Sequence, residues 1–372
     1  MKGKTIGKML GKDKNIIGII GKNGKSTIAH MINHCYNSLG LVSEIQTPTE
    51  FFEKIHHESY EKTAKDVIIE VSMCDINSKR VSYLAFDTLL FTGSGKFSSK
   101  DALWTMKRPF IQLPIDKTAI INIDDEAHSA LSDVTIANII TYGLTNRAQI
   151  WARNISLSFD KTTFDLYSEG DYIKTIELPY FGIYNVYNCL ATIAYFVSEG
   201  YTPARMAEFF QTLPQIKGKF EQILTKNQNR IIIDYARNPE AIQSILKGIN
   251  AASTHHVITV VGADGHHSKA VCEEIGKAAL AGSKYVIFTT DNPREKAPNH
   301  IIYDMIKNNI KQNYRIVLDR EKAIEIALKM AKPTDVVAIL GKGHEKMQII
   351  DQKTIPFCDH TVATYFVQKF EI

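Results

Sequence analysis

Gly18-Ile19-Ile20-Gly21-Lys22-Asn23-Gly24-Lys25-Ser26-Thr27 follows the apolar run Asn15–Ile20 and leads into a helix-period pattern from Ile28. A strand, a glycine-rich loop and a helix therefore stand in immediate succession. In that context Gly21, Lys22, Asn23 and Gly24 allow successive backbone N–H groups to turn inward around phosphate oxygens, and the helix amino terminus adds a favourable dipole. Lys25 supplies a point charge to the outer phosphates and Ser26 a hydroxyl for Mg²⁺, and Thr27 is the last of the expected nucleotide-binding residues of the loop. The strict nucleotide-binding pattern has glycine where this chain has Ile19. The order of elements still points to nucleotide binding rather than to a plain glycine-rich turn.

A phosphate-bound magnesium takes a carboxylate from a neighbouring strand end. Glu70 interrupts the apolar run DVIIEVS at the carboxyl end of the next long strand, where open α/β sheets place their ligands. The further strand candidates of this half are Thr88–Thr92, Thr118–Ile123 and Ile139–Gly143, and runs such as AIINI suit strands covered on both faces. From Gln149 to Leu178 the pattern changes to apolar–polar alternation broken by turn residues, a small antiparallel meander. Helices follow from about Asn185 to Glu199 and from Pro203 to Thr212.

Around LPQIKGKFEQ proline and glycine come together, and then the βα alternation restarts. Strands are expected at Arg230–Tyr235, His256–Gly262, Lys284–Thr290, Arg315–Leu318 and Val336–Leu340, with helices opening at Pro239, Lys269, Pro298 and Arg320. The fold class is α/β: a phosphate-loop domain with a parallel sheet and a small antiparallel subsheet over residues 1–216, and a Rossmann-like domain over 217–372. Asp264-Gly265-His266-His267 falls after a strand and lacks the i, i+4 spacing of paired helical ligands, so it reads as a loop rather than a metal site.

Composition agrees with this picture. The chain has 372 residues, 44% hydrophobic and 23% charged, with a formal net charge of +4, which excludes disordered and low-complexity classes and gives no reason to expect nucleic acid or a membrane as partner. Five cysteines without a CxxC pair suit a reduced cytoplasmic protein without a disulfide framework. The apolar run Ile16–Ile20 is too short for a signal peptide or a membrane span.

Several segments together resemble the Mur ligases, ATP-dependent amide-forming enzymes of peptidoglycan synthesis, and among them the MurE type. GKNGKST at Gly21–Thr27 resembles the family's phosphate loop. EVSMCDINSKR at Glu70–Arg80 resembles its EVSSH segment ending in arginine, and INIDDE at Ile121–Glu126 its V-N-x-D-D stretch. Gly182–Asn188 matches the G-x-x-N-x-x-N that contacts adenine, KGKFE at Lys217–Glu221 resembles P-G-R-x-E, and DYARNPE at Asp234–Glu240 resembles DYAHTPD. DNPR at Asp291–Arg294 and GKGHE at Gly341–Glu345 match outright, so the resemblance runs in order along nearly the whole chain.

The resemblance implies ATP and Mg²⁺ as cofactors. It implies nucleotide contacts at the phosphate loop, Asn185, Asn188, Lys219 and Asp234, and metal at Ser26 and Glu70. Catalytic roles fall to Lys25, Glu70 and Lys107, the last in TMKRPF as counterpart of the family's carbamylated lysine. Thr47, Thr49, Ser72 and Arg80 correspond to contacts of the carboxylate acceptor. Asp291, Asn292, Arg294, Gly341 and Glu345 correspond to the site of the incoming amino acid, with Arg294 pairing with a carboxylate. The partners are then two small molecules, an amino acid and a carboxylate. There are departures. The family's metal-binding His of EVSSH is Cys74 here, its FTNxxxDHxDYH stretch is replaced by the shorter Phe91–Phe97, the Arg of P-G-R-x-E is Lys219, and the His of DYAH is Arg237. The phosphate loop also stands close to the amino terminus, where the family carries a UDP-sugar domain. The expected activity is thus an ATP-dependent ligase working through an acyl phosphate on a carboxylate other than a typical UDP-muramoyl peptide. The alternative is an impaired or regulatory nucleotide-binding relative.

Overall fold

The structure is a computed structural model and describes residues 14–55, 64–78, 80–95, 100–309, 313–351 and 353–371. The basic segment before Lys14 and the Lys96–Ser99 stretch lie outside the described residues. The chain divides into two compact units. One runs to Ser156 and from Asp160 to Pro214, and the other comprises Leu157–Phe159 and everything from Gln215.

Among the described residues of the first unit, β1 (Asn15–Ile20), β2 (Ser43–Gln46), β3 (Asp66–Val71), β4 (Thr88–Phe91), β5 (Thr118–Asn122), β6 (Asn138–Gly143), β7 (Ile150–Leu157), β8 (Thr162–Ser168) and β9 (Asp171–Leu178) form a nine-stranded sheet. Its order is β2-β3-β1-β4-β5-β6-β7-β8-β9. β1 lies in the interior, parallel to both β3 and β4, which register Ile19 against Glu70 and Ile20 against Phe91. That register brings the carboxyl ends of β1, β3 and β4, and the loops that follow them, to one edge of the sheet, where open α/β sheets place ligands. β1 is buried from Ile16 onward because helices cover both faces, which is why its sequence is continuously apolar. β8 and β9 pair antiparallel and carry the expected alternation.

In the second unit β10 (Glu221–Leu224), β11 (Arg230–Asp234), β12 (Val257–Val261), β13 (Tyr285–Phe288), β14 (Tyr314–Ile316) and β15 (Val336–Leu340) form a six-stranded sheet in the order β10-β11-β15-β12-β13-β14. It is parallel except for β10, which runs antiparallel to β11. β16 (Met347–Ile350) and β17 (Lys353–Pro356) make a separate hairpin. Helix starts follow local chemistry. Asn238 caps the helix Pro239–Ala252 by accepting from Ala241 N at 2.9 Å, and Asp319 caps Arg320–Met330 by accepting from Lys322 N at 3.1 Å. The core of this unit is built from β11, β12 and β15 against the helices Arg320–Met330 and Asp359–Phe370.

Some elements were not anticipated. β2 and β10 are strands of four residues, too short for a periodicity signal. The helix Lys100–Gln112 continues through Pro109, which stands in its last turns rather than at a turn, and leaves Lys107 half-buried on its surface. A C-terminal helix, Asp359–Phe370, completes the fold. No helix among the described residues is long and apolar enough to cross a membrane.

Candidate functional site

In the first unit the phosphate loop bridges β1 and the helix Lys25–Ser38. Gly24 is the helix N-cap at φ +88°, a left-handed conformation, and a Cβ there would lie 2.5 Å from Asn188 Oδ1. The loop thus packs directly on Asn188 of the helix Ile183–Ser198. Asn188 is itself held by donating to Asn185 Oδ1 at 3.0 Å, and Asn185 donates to Phe181 O at 2.8 Å. The two asparagines expected to meet the nucleotide base therefore form a buried ladder behind the loop. On the other side Lys22 N donates to Gly93 O at 2.9 Å and Thr92 Oγ1 to Asn23 O at 2.6 Å. The loop after β4 is fastened in turn by Asp125, which accepts from Ser94 N at 2.8 Å and Ser94 Oγ at 2.7 Å. Asp124 accepts from Leu144 N at 2.6 Å and from Tyr187 OH at 3.0 Å. Asp125 thus clamps the loop that flanks the phosphate loop and Asp124 ties Leu144 to Tyr187, roles the sequence left unassigned.

The Lys25 ammonium donates to Gly21 O at 2.7 Å, so it is drawn over the loop. Ser26 Oγ donates to Glu70 Oε2 at 2.5 Å. A hydroxyl and a carboxylate in contact beside the loop are hard oxygen donors of the kind Mg²⁺ takes, with phosphate and water completing its shell. Among the described residues no group of three or more His, Cys, Asp or Glu could hold a metal unaided, so the cation this pair fits is one that also binds phosphate.

The proposed acceptor contacts are spread over separate elements. Thr47 and Glu50 close a capping box at the helix Pro48–Ile55, Thr47 N donating to Glu50 Oε2 at 2.7 Å and Glu50 N to Thr47 Oγ1 at 3.3 Å. Thr49 is exposed in the first turn. Ser72 caps the helix Met73–Asn77 and donates to Asp75 Oδ2 at 2.5 Å. Arg80 opens the short helical turn Arg80–Tyr83. Thr47 and Ser72 thus already have local structural work.

In the second unit the loops at the carboxyl ends of β11, β13 and β15 converge. Asp234 is buried and accepts from Phe220 N at 2.8 Å and Ala236 N at 2.7 Å; burial pushes its carboxyl up, against the pull of the Lys219 charge and these amides. Lys219 and Arg237 lie 5.3 and 4.7 Å from the centre of the Tyr235 ring.

The residue the sequence reading missed is Lys342. Its side chain is 0% exposed, and its ammonium donates to Asn292 Oδ1 at 3.0 Å, Glu345 Oε2 at 2.8 Å and Met347 O at 2.8 Å, with Asp291 Oδ1 at 3.7 Å. It ties DNPR to GKGHE. The available signal was a lysine held between two glycines immediately after an all-buried strand, where a cation persists only when paired. Glu345 also accepts from Asn292 Nδ2 at 2.9 Å; burial pushes its carboxyl up, but the Lys342 and Asn292 bonds hold it below the usual range. Burial pushes the Asp291 carboxyl up, although Arg320 and Lys342 oppose this. Arg294, at φ +54°, gives its Nε to Asp264 Oδ1 at 3.0 Å and its Nη2 to Oδ2 at 3.1 Å. The fork expected to meet a substrate carboxylate has a carboxylate partner within the fold.

A phosphate loop with an adjoining Ser–Glu oxygen pair in one α/β unit, and a Rossmann-like unit with a charged corner at its strand ends, define a nucleotide-dependent enzyme of the phosphate-loop class. The family described as Mur ligase middle domain matches residues 19–196, and that described as Mur ligase, glutamate ligase domain, matches 218–343. The chain belongs to the Mur ligase family, whose members are ATP-dependent carboxylate–amine ligases. It is 31% identical over 381 residues to UDP-N-acetylmuramoyl-L-alanyl-D-glutamate–2,6-diaminopimelate ligase 1 of Clostridium acetobutylicum, covering 95% of this chain and 78% of that one. It is likewise 31% identical over 397 residues to the ligase of the same name, without the number, from Aquifex aeolicus, covering 97% and 80%. Among solved structures, MurF ligase from Thermotoga maritima in complex with ADP shares the fold with a TM-score of 0.72 at 17% identity, over 99% of this chain and 82% of that one.

Proposed function

We propose that the chain is an active ATP- and Mg²⁺-dependent ligase that joins an amino acid to a peptide-type carboxylate through an acyl phosphate. The observation that carries this reading is the contact of Ser26 with Glu70 beside the phosphate loop, which supplies the oxygen donors of a phosphate-bound cation. In the first step an acceptor carboxylate oxygen attacks the γ-phosphorus of ATP and ADP leaves. In the second the amine nitrogen attacks the acyl carbon, loses a proton and expels inorganic phosphate. Such transfer depends on positioning and charge neutralisation more than on a protein nucleophile. Lys25 is the cation placed to neutralise the phosphoryl oxygens once it leaves Gly21 O. Magnesium held by Ser26 and Glu70 would add its charge to the same oxygens. Asn185 and Asn188 back the nucleotide side of the loop, and Asn292, Glu345 and Arg294 belong to the amine side of the reaction.

The curated relatives are named for a UDP-muramoyl-alanyl-glutamate acceptor and for diaminopimelate, so these are the first substrates to try. The narrower expectation of a different acceptor has no support in those names. The five cysteines are free thiols, in keeping with the proposed cytoplasmic setting. The test measures ADP release with ATP, Mg²⁺, carboxylate candidates and hydroxylamine, which converts an acyl phosphate into a hydroxamate. Turnover that needs both carboxylate and amine, a trapped hydroxamate and loss of both in Lys25→Ala are expected. Nucleotide binding without ADP release from any pair would instead mark a regulatory relative.

A further inference from the structure

Three hydrogen bonds in the first unit form one chain between a carboxylate and the loop lysine. Ser94 N donates to Asp125 Oδ2 at 2.8 Å, Lys22 N to Gly93 O at 2.9 Å, and the Lys25 ammonium to Gly21 O at 2.7 Å. Gly93 O and Ser94 N belong to one peptide group, as do Gly21 O and Lys22 N. Both groups are trans, so in each the carbonyl and the amide point to opposite sides. Their dipoles run in the same sense from the Asp125 carboxylate to the Lys25 cation, an arrangement in which each bond strengthens the next. A second tie lies beside the first. Thr92 Oγ1 donates to Asn23 O at 2.6 Å, which turns the Gly24 amide of that peptide group to the side away from Thr92. The approach is close, since a Cβ on Gly21 would lie 2.1 Å from Thr92 Oγ1. The strap Thr92–Ser94 that makes these ties is itself anchored at both ends. Before it, Tyr142 OH donates to Phe91 O at 2.9 Å; after it stands Asp125, whose Oδ1 also accepts from Ala127 N at 2.9 Å.

We propose that Thr92 and Asp125 are positioning residues of this ligase: the strap presets the peptide groups of the phosphate loop, and Asp125 holds the strap. The inference rests on the reading of that loop as the nucleotide site. Gly21 and Gly24 sit at φ +145° and +88°, and a glycine backbone has little stiffness of its own. If such a loop had to order its amides on meeting phosphate, the conformational entropy lost would be subtracted from the affinity. Ties from outside the loop remove that cost before the nucleotide arrives. Thr92 acts on bound phosphate through the Asn23–Gly24 peptide group, and Asp125 through Gly93–Ser94.

The test titrates the full chain with ADP and with ATP in the presence of Mg²⁺, well below the melting temperature of every variant. Thr92→Ser and Thr92→Ala both lose the methyl group and differ only in the hydroxyl. The serine variant should bind both nucleotides within about threefold of the unmodified protein, and the alanine variant about tenfold more weakly, the worth of one hydrogen bond. Asp125→Asn sets an amide N–H against one of the groups that now donate to the carboxylate, and should weaken binding by a similar factor. Because both residues act on one strap, Thr92→Ala with Asp125→Asn should lose clearly less than the product of the two single losses. A purely structural role would lower the melting temperature of the alanine variant and leave its nucleotide affinity equal to that of the serine variant. That equality overturns the proposal, as does a double variant in which the two losses multiply. Should Asp125→Asn fail to fold, the comparison of serine with alanine decides alone. If the unmodified protein binds neither nucleotide, the nucleotide reading of the loop falls and the role of the strap with it; each of the other outcomes leaves that reading intact.

Discussion

Replacing Lys342 by methionine removes the cation that joins the DNPR and GKGHE loops, the proposed amine corner, while roughly keeping side-chain length. The ammonium has three protons and three acceptors at 2.8–3.0 Å, so its hydrogen bonding is complete. Its loss leaves Glu345 without its bonded cation and Asp291 without a charge 3.7 Å away. Breaking a buried pair by removing one partner costs about 3–5 kcal/mol. Two features place this case at the low end, about 3 kcal/mol. The Glu345 side chain is 26% exposed, so water can take the place of one bond. Asp291 can shed its charge by binding a proton, a change that burial already favours. For a unit of this size that corresponds to a melting temperature lower by about 6–12 °C. Calorimetry should be read as a shift of the second unit's transition, because a chain of two units need not unfold in one step. The amine KM should rise by at least about tenfold with the ATP KM unchanged, since Asn292 and Glu345 lose the group that orients them. A shift below about 2 °C together with an unchanged amine KM would refute the view that Lys342 organises this corner.

Glu70→Gln should keep ATP binding but raise the Mg²⁺ concentration needed for half-maximal turnover by about tenfold or more, and an unchanged magnesium requirement would remove Glu70 from the metal site. Gly24→Ala forces an L side chain to φ +88° and toward Asn188 Oδ1; a loss of about 1–2 kcal/mol in stability and weaker nucleotide binding are expected from melting and titration. Asp359→Ala strands Arg320, whose side chain is fully buried and bonded to Asp359 at 2.8 Å and to Leu340 O at 3.0 Å, at a cost of about 3–5 kcal/mol, whereas Arg320→Met with Asp359→Leu should cost far less. Burial pushes the Asp264 carboxyl up, but the Arg294 bonds and the His266 amide outweigh it and hold the folded-state value below the ordinary one. Its contribution to stability is then complete above about pH 3.9 and is lost as pH falls through the lower folded value. Urea midpoints between about pH 2 and 5 should decline less steeply in Asp264→Asn than in the unmodified protein.

The parts of the fold visible in the sequence are those whose residues answer to one constraint. β1, β12 and β15 are buried on both faces and are written as continuous apolar runs, and the helices from Pro239 and Pro298 announce themselves by proline at the first turn. β2 and β10 are edge strands of four residues held by a neighbour rather than by their own pattern, and no local signal distinguishes them from loop. Pro109 misleads for a related reason. Proline is costly in a helix interior, yet packing of Met106 and Phe110 into the core holds the helix Lys100–Gln112 through it.

The candidate site divides along the same line. Glycines and the loop lysine are legible because backbone conformation and phosphate charge restrict what can stand there, and Glu70 because an acid interrupts an apolar strand. Lys342 and Asp264 were not, since their meaning lies in contacts across loops far apart in sequence. Asp264 meets Arg294 thirty residues on, and Lys342 meets Asn292 fifty residues back. A motif fixes which side chain stands at a strand end, but the neighbours fix its charge environment. DNPR is complete in this chain, yet its arginine is already paired with Asp264, so an identical tetrapeptide beside a different loop presents a different charge to whatever meets it.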